Sequence, residues 1–204
     1  MIEISQNNLK LAADLLSGIK NGMPKATARA INHTTAKTKT QMKRTVGKDY
    51  YIKQNDVDKT LKVKKASWTN PFATITSKSR VLGLDKFKVA VKGGVVKAAV
   101  SKIEGYKERK GAFISNVRDF KGGNWEKKGG KNKFIPNYSD TKSIRILKRK
   151  SSSRLPLKTL HGASVPGMIG NENIIIALNN FVVKETNKRL SYEVGRLLGG
   201  FKWT

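Results

Sequence analysis

Apolar residues recur at helical spacing near both ends of the chain and alternate with polar ones in its middle. Leu9, Ala12, Ala13, Leu16 and Ile19 fall on one face of a helix predicted over 6–20, with Ser5 at its N-cap. Asn21-Gly22 stops it, and Pro24 suits the first turn of a second helix predicted over 24–46. There Ala28, Ile31, Thr35, Thr38 and Met42 share one face, while Lys25, Arg29, Lys37, Lys39, Lys43 and Arg44 share the other. Gly47 marks its end. Asn55 or Asp56 caps a short third helix reaching Leu61.

From Lys62 the period changes to two, which predicts strands near 62–68 and 72–79. In Lys86–Lys92, Phe87, Val89 and Val91 alternate with lysines; Gly93-Gly94 then joins this run to Val95–Val100. Two glycines between two strand-like runs signal a hairpin, because both take positive φ without strain. Lys110–Val117 reads as a further strand, and Ser143–Lys148 as a return to the sheet. Residues 121–133, with paired glycines on either side of Trp125, read as a mobile loop, and Lys148–Ser153 as a flexible basic linker. Leu155-Pro156-Leu157 and Val165-Pro166 bracket an extended segment, since the residue before proline avoids the helix. The apolar run Ile174–Leu178 reads as a buried element that opens a last helix over 174–198. Val183, Leu190, Val194 and Leu197 share one face of it; Lys184, Lys188, Tyr192 and Arg196 lie opposite.

Helices, then strands, then a helix predict an α+β fold: an antiparallel or mixed sheet packed by a long N-terminal helix and a C-terminal amphipathic helix. A chain of 204 residues accommodates this as a single domain over 1–204. Its parts are N-terminal helices over about 6–61, a sheet region over about 62–150, and an extended segment with a helix over 155–198. No repeat of 20–50 residues is present.

Composition narrows the function. There is no cysteine, which excludes disulfides, thiolate zinc sites and Cys nucleophiles. Two distant histidines, His33 and His161, argue against a His-rich metal site. No apolar run reaches the roughly 20 residues of a membrane span. No basic region leads into an apolar stretch at the N-terminus, so no secretory signal is expected and a reducing cytoplasm is the expected place of synthesis. The second helix has lysines opposite an Ala- and Thr-rich face, which suits packing on protein better than entry into lipid.

Lysine and arginine number 42 against 14 aspartates and glutamates, a formal net charge of +28. Repulsion on this scale works against a compact state and is relieved by counter-charge, so a polyanionic surrounding is implied. The charge is concentrated in residues 20–65, net +10, and 102–158, net +12, while both ends are nearly neutral. The candidate contacts to a polyanion or an acidic partner are Lys25, Arg29, Lys37, Lys43 and Arg44 of the second helix, with Lys127, Lys128, Lys131, Lys133, Arg149 and Lys150 of the two basic loops. Lysine binds phosphate as a point charge, so contact with nucleic acid would be nonspecific and steeply salt-dependent. Tyr50 and Tyr51 beside Lys53, and Trp125 beside Lys127 and Lys128, suit stacking next to phosphate contacts. Tyr50 and Tyr51 equally suit core anchors where helix meets sheet.

Catalysis has little support. GxSxG, HExxH, GxxxxGK[ST] and GxGxxG are all missing. Asp56 and Asp58 form the closest acid pair, but residues two apart do not share a helix face. A hydrolase or nuclease would need a carboxylate cluster that the sequence lacks. No enzyme activity, cofactor, metal or small-molecule substrate is therefore expected.

One set of segments carries a resemblance. It comprises Lys25-Ala26-Thr27-Ala28-Arg29-Ala30-Ile31-Asn32-His33-Thr34, Tyr51-Ile52-Lys53, Leu61–Ser67, Ala112-Phe113-Ile114, and Leu155-Pro156-Leu157 through Val165-Pro166 with the closing amphipathic helix. In this order they resemble the minor tail protein Z family of long-tailed phages and prophages. The chain departs from the family's pattern over 118–150, where Trp125 sits in glycine-rich sequence and the basic loop is long. The resemblance implies a virion component that acts in tail completion near the head-proximal end and is assembled in the host cytoplasm. It also implies a homo-oligomeric ring, with six copies as the expected number. Implied partners are the tail terminator, the tube or the tape measure, with genomic DNA nearby. A nonspecific nucleic-acid-binding protein is the alternative that charge alone leaves open.

Overall fold

The computed structural model describes residues 17, 18, 22–128 and 131–199, with backbone alone over 118–142. The helix expected over 6–20 lies outside the described residues. The fold is α+β, as the order of elements predicts, and its strands pair antiparallel in three small sheets rather than one. The chain divides into two compact units, Met1–Arg80 with Ser164–Thr204, and Val81–Ala163.

The first unit is built on two long helices, α1 (Gly22–Asp49) and α4 (Glu172–Leu197). Helix α1 runs past Gly47, because the i→i−4 ladder continues to Tyr50 N–H donating to the Val46 carbonyl at 2.9 Å. Ala26 and Ala30 pack against Leu190 and Val194, with Met23, Leu197 and Leu198 around them. Glu185 meets Lys37, and Phe181 shares a groove with Arg44, so the helices run antiparallel. Small residues at i and i+4 on α1 let the two backbones approach closely. The helix is rich in threonine, and several hydroxyls are satisfied locally by donating to the carbonyl four residues earlier: Thr27 to Met23, Thr35 to Ile31, Thr40 to Ala36.

Helix α2 (Gln54–Asp58) follows, with Lys53 at its N-cap position, so Asp56 sits in the first turn and neither Asn55 nor Asp56 caps it. Strands β1 (Leu61–Lys64) and β2 (Thr74–Ser77) form an antiparallel hairpin. Short helix α3 (Val165–Ile169) corrects the extended reading around Val165-Pro166. Ser164 caps it by accepting from the Gly167 N–H at 3.2 Å, and proline in a first turn costs no hydrogen bond. Helix α4 also corrects the reading of Ile174–Leu178 as wholly buried. Ile174 and Leu178 are 1% and 6% exposed, but Ile175 and Ile176 are 42% and 52% exposed. Helical period, not contiguity, decides which of the five face inward.

The second unit opens with a 3-10 turn at Leu84–Lys86, and then β3 (Lys88–Lys92), β4 (Val95–Ala99) and β5 (Lys107–Glu108) form one antiparallel sheet. Gly93 and Gly94 join β3 to β4 with φ of 58° and 74°, as their pairing predicts. Strands β6 (Ala112–Lys128), β7 (Lys131–Arg149) and β8 (Leu157–Thr159) form the other sheet. The mobile loop expected over 121–133 is thereby corrected. Gly122 and Gly123 lie within β6, paired with Asn137 and Pro136, and register shifts between Arg118 and Gly122 absorb the irregular residues. The linker at 148–153 is likewise shorter than expected. Lys148 and Arg149 belong to β7, and the chain folds back through a Lys150 N–H bond to the Pro156 carbonyl at 3.2 Å. Among the described residues Leu84, Phe87, Val96, Ala98, Ala99, Ala112, Ile146 and Leu147 are the buried apolar side chains here. The unit's two chain ends meet: Gly162 donates to the Leu82 carbonyl at 2.8 Å, and Gly83 bridges His161.

Candidate polyanion and partner surfaces

The basic residues named from the sequence fall into three groups. Lys25, Arg29 and Arg44 are exposed on α1. Lys37 and Lys43, also on α1, are partly neutralised. Lys37 bonds Glu185 of α4, and Lys43 shares Asp58 with Lys39, each at 3.0 Å. Asp58 is therefore the acid that ties α2 to α1. Hydrogen bonds from the two lysines hold its carboxyl below the ordinary carboxylate range. Lys127, Lys128, Lys131 and Lys133 lie at the far end of the β6–β7 ribbon, whereas Arg149 ends β7 at its other extremity and Lys150 follows it. The two stretches read from the sequence as basic loops are thus separated by the length of a 19-residue strand, roughly 60 Å at ~3.3 Å per residue.

Between α1 and α4 lies a polar cluster that the sequence left unpartnered. His33 Nδ1 is 3.9 Å from Glu185, and Lys37 bonds the same carboxylate. Hydrogen bonding from Lys37 holds Glu185 below the usual carboxylate range. Burial pushes the His33 imidazole below its ordinary value, and Arg189 and Lys37 push in the same direction. Glu193 is 1% exposed and is clamped on α4 by Arg189 at 2.7 Å and Arg196 at 3.1 Å. The Arg189 guanidinium lies 4.5 Å from the Tyr192 ring centroid. The Glu185 contacts to Lys37 and His33 cross between the two helices, while Arg189, Arg196 and Tyr192 surround Glu193 within α4. Among the described residues no cluster of three or more His, Asp or Glu is arranged to hold a metal ion.

Two open grooves flank this helix pair. One, of about 530 Å³, is lined by His33, Lys37, Gln41, Arg44, Phe181 and Glu185 among others. The other, of about 440 Å³, runs between Thr34 and Thr38 of α1, Val182 and Thr186 of α4, and Phe72 and Ile75 of the β1–β2 hairpin. His161 is exposed at its bridge to Gly83, and Tyr50 and Tyr51 are half-buried.

The sequence reading passed over a further basic row. Lys59, Lys62, Lys64, Lys65 and Lys78 are all exposed, and none pairs with a carboxylate among the described residues. The signal was present in the alternation Leu61-Lys62-Val63-Lys64, which a strand turns into a lysine face.

These features define an α+β chain with exposed basic surfaces and a pair of packed helices tied by buried and half-buried charged groups. The chain belongs to the prophage minor tail protein Z family, whose model matches residues 7–199. Membership makes it a structural protein of phage tails, located in the virion and interacting with other tail components. No curated protein and no solved structure matches the chain. No helix among the described residues is long and apolar enough to cross a membrane.

Proposed function

We propose that this protein completes the head-proximal end of the tail as a structural subunit and carries out no catalysis. It works in a homo-oligomeric ring, with six copies as the expected number. Each subunit acts as one α+β domain, assembled into the tail in the host cytoplasm. Its partners are the terminator, the tube or the tape measure. The observation that carries this reading is the family match over residues 7–199. The net charge of +28 supports a seat against DNA or an acidic tail protein, since either would relieve the repulsion. Lys25, Arg29, Lys37, Lys43 and Arg44 on α1, Lys127, Lys128, Lys131 and Lys133 on the ribbon, and Arg149 and Lys150 beyond it would meet that partner.

The unpaired lysines also support a second reading, a free nonspecific nucleic-acid-binding protein. Tails assembled in cells lacking the gene discriminate between the two. Electron microscopy should show tails that fail to give infectious joined particles. Normal joining and normal titre would reject the structural role and leave the second reading standing.

A further inference from the structure

The β1–β2 hairpin has two different faces. Leu61 pairs with Ser77 and Val63 with Ile75 on one; Lys62 pairs with Thr76 and Lys64 with Thr74 on the other. Ile75 turns into the groove against α1 and α4, so the lysine face is the outer one. Lys78 continues that face, its N–H donating to the Thr60 carbonyl at 3.1 Å. Along each strand, positions on one face recur about every 6.8 Å, comparable to the separation of successive phosphates in an extended nucleic-acid strand.

The tip of the hairpin carries two exposed aromatic rings: Phe72, 76% exposed, lines the groove beside Ile75, whereas Trp68, 58% exposed, is not among the groove's lining residues. They are not on a floppy loop. Ser67 N–H donates to the Asn70 carbonyl at 2.8 Å, and Asn70 N–H donates to Ser67 Oγ at 3.0 Å. Ala66, just before the turn, is held by both polar atoms of the Asn32 side chain. Large rings kept in water on an ordered turn pay solvation cost with no return inside the chain. An exposed ring four residues along the chain from Lys64 puts a stacking surface and unpaired ammonium groups on one short segment, the combination that stacks bases while neutralising phosphates.

We propose that the outer face of the β1–β2 hairpin, with the turn at its tip, binds single-stranded nucleic acid, Lys62, Lys64 and Lys78 on phosphates and Trp68 stacked on a base. Thr74 and Thr76, opposite Lys64 and Lys62 on the neighbouring strand, donate to phosphate oxygens. A duplex keeps its base faces stacked internally and uses the lysines alone. The binding is sequence-independent, because lysine and ring faces read no base edge. The inference uses residues outside the set named from the sequence and does not rest on the tail role.

The test is fluorescence anisotropy of the full chain with a labelled oligothymidylate of about 20 nucleotides and a duplex of the same length. The single strand should bind about tenfold tighter than the duplex at moderate salt. W68A should weaken the single strand about tenfold while leaving both the salt slope and duplex affinity unchanged. K62E/K64E should weaken both probes and lower the salt slope. K184E/K188E on α4, with circular dichroism confirming all variants folded, should leave the single-strand preference intact. Equal affinity for the duplex, or a W68A variant that binds like the parent, would overturn the proposal. So would polyglutamate that competes as well as oligothymidylate, which would point to an acidic protein instead.

Discussion

The side-chain amide of Asn32 grips the backbone of Ala66 with both its atoms. Nδ2 donates to the Ala66 carbonyl at 2.8 Å, and Oδ1 accepts from the Ala66 N–H at 2.8 Å. The amide thus imitates a strand partner and ties α1 to the end of the β1 segment 34 residues away. Asn32→Ala should cost about 2–3 kcal/mol, because it removes two hydrogen bonds and strands a half-buried peptide group. Asn32→Asp should not rescue, since a carboxylate cannot donate to the carbonyl. Urea unfolding of the three chains checks this; stability within about 0.5 kcal/mol of the parent for Asn32→Ala would show the clamp to be decorative.

Gly162 is fixed by its neighbour. A Cβ built there would sit 2.6 Å from the ring of Phe87, which is 7% exposed. The ring has no open side to retreat into, so Gly162→Ala should destabilise by about 1–3 kcal/mol. Gly162→Ala combined with Phe87→Leu should recover part of that loss, and thermal melts of the single and double variants measure the coupling.

Acid should loosen the α1–α4 pair in two stages. The folded His33 lies below its ordinary 6.5, so its contribution is complete above that value and is lost as pH falls through the folded pKa. The folded Glu185 lies below its ordinary 4.5, so its contribution survives to lower pH and fades as pH falls through that depressed value. His33→Phe should remove the upper stage of the stability-versus-pH curve and Glu185→Gln the lower one. A curve flat from neutral to strongly acid pH would contradict both assignments.

Glu193 is the acid that α4 can least spare. It is 1% exposed between Arg189 and Arg196, whose heads remain partly in water. Glu193→Gln keeps the volume and removes the charge, and should cost about 1–3 kcal/mol. Glu193→Leu should cost less than Glu193→Gln, because the arginines swing to solvent while the apolar side chain fills the space. Chemical denaturation ranks the two; the reverse order would mean the ion pairs themselves carry the stability.

Much of this architecture was readable in advance. Leu190 and Val194 lie inward and Lys184, Lys188 and Tyr192 outward on α4, because a helical period leaves few alternatives. Gly93-Gly94 announced its hairpin through φ alone. The β6–β7 ribbon was hidden, because what keeps Gly122 and Gly123 extended is pairing with Asn137 and Pro136, residues the local sequence does not name. Ile175 and Ile176 misled by standing in an unbroken apolar run. The basic surface was legible as charge but less so as geometry: Asp58 and Glu185 consume lysines that α1 presents, while the Leu61-Lys62-Val63-Lys64 alternation held the signal for the unpaired lysine face of the hairpin.

The place of the chain in the virion tests the account most directly. Cryo-electron microscopy of purified phage particles, with protein content checked by mass spectrometry, should show density for this chain as a ring at the head-proximal end of the tail. Particles that are infectious and structurally normal yet contain none of it would contradict the account.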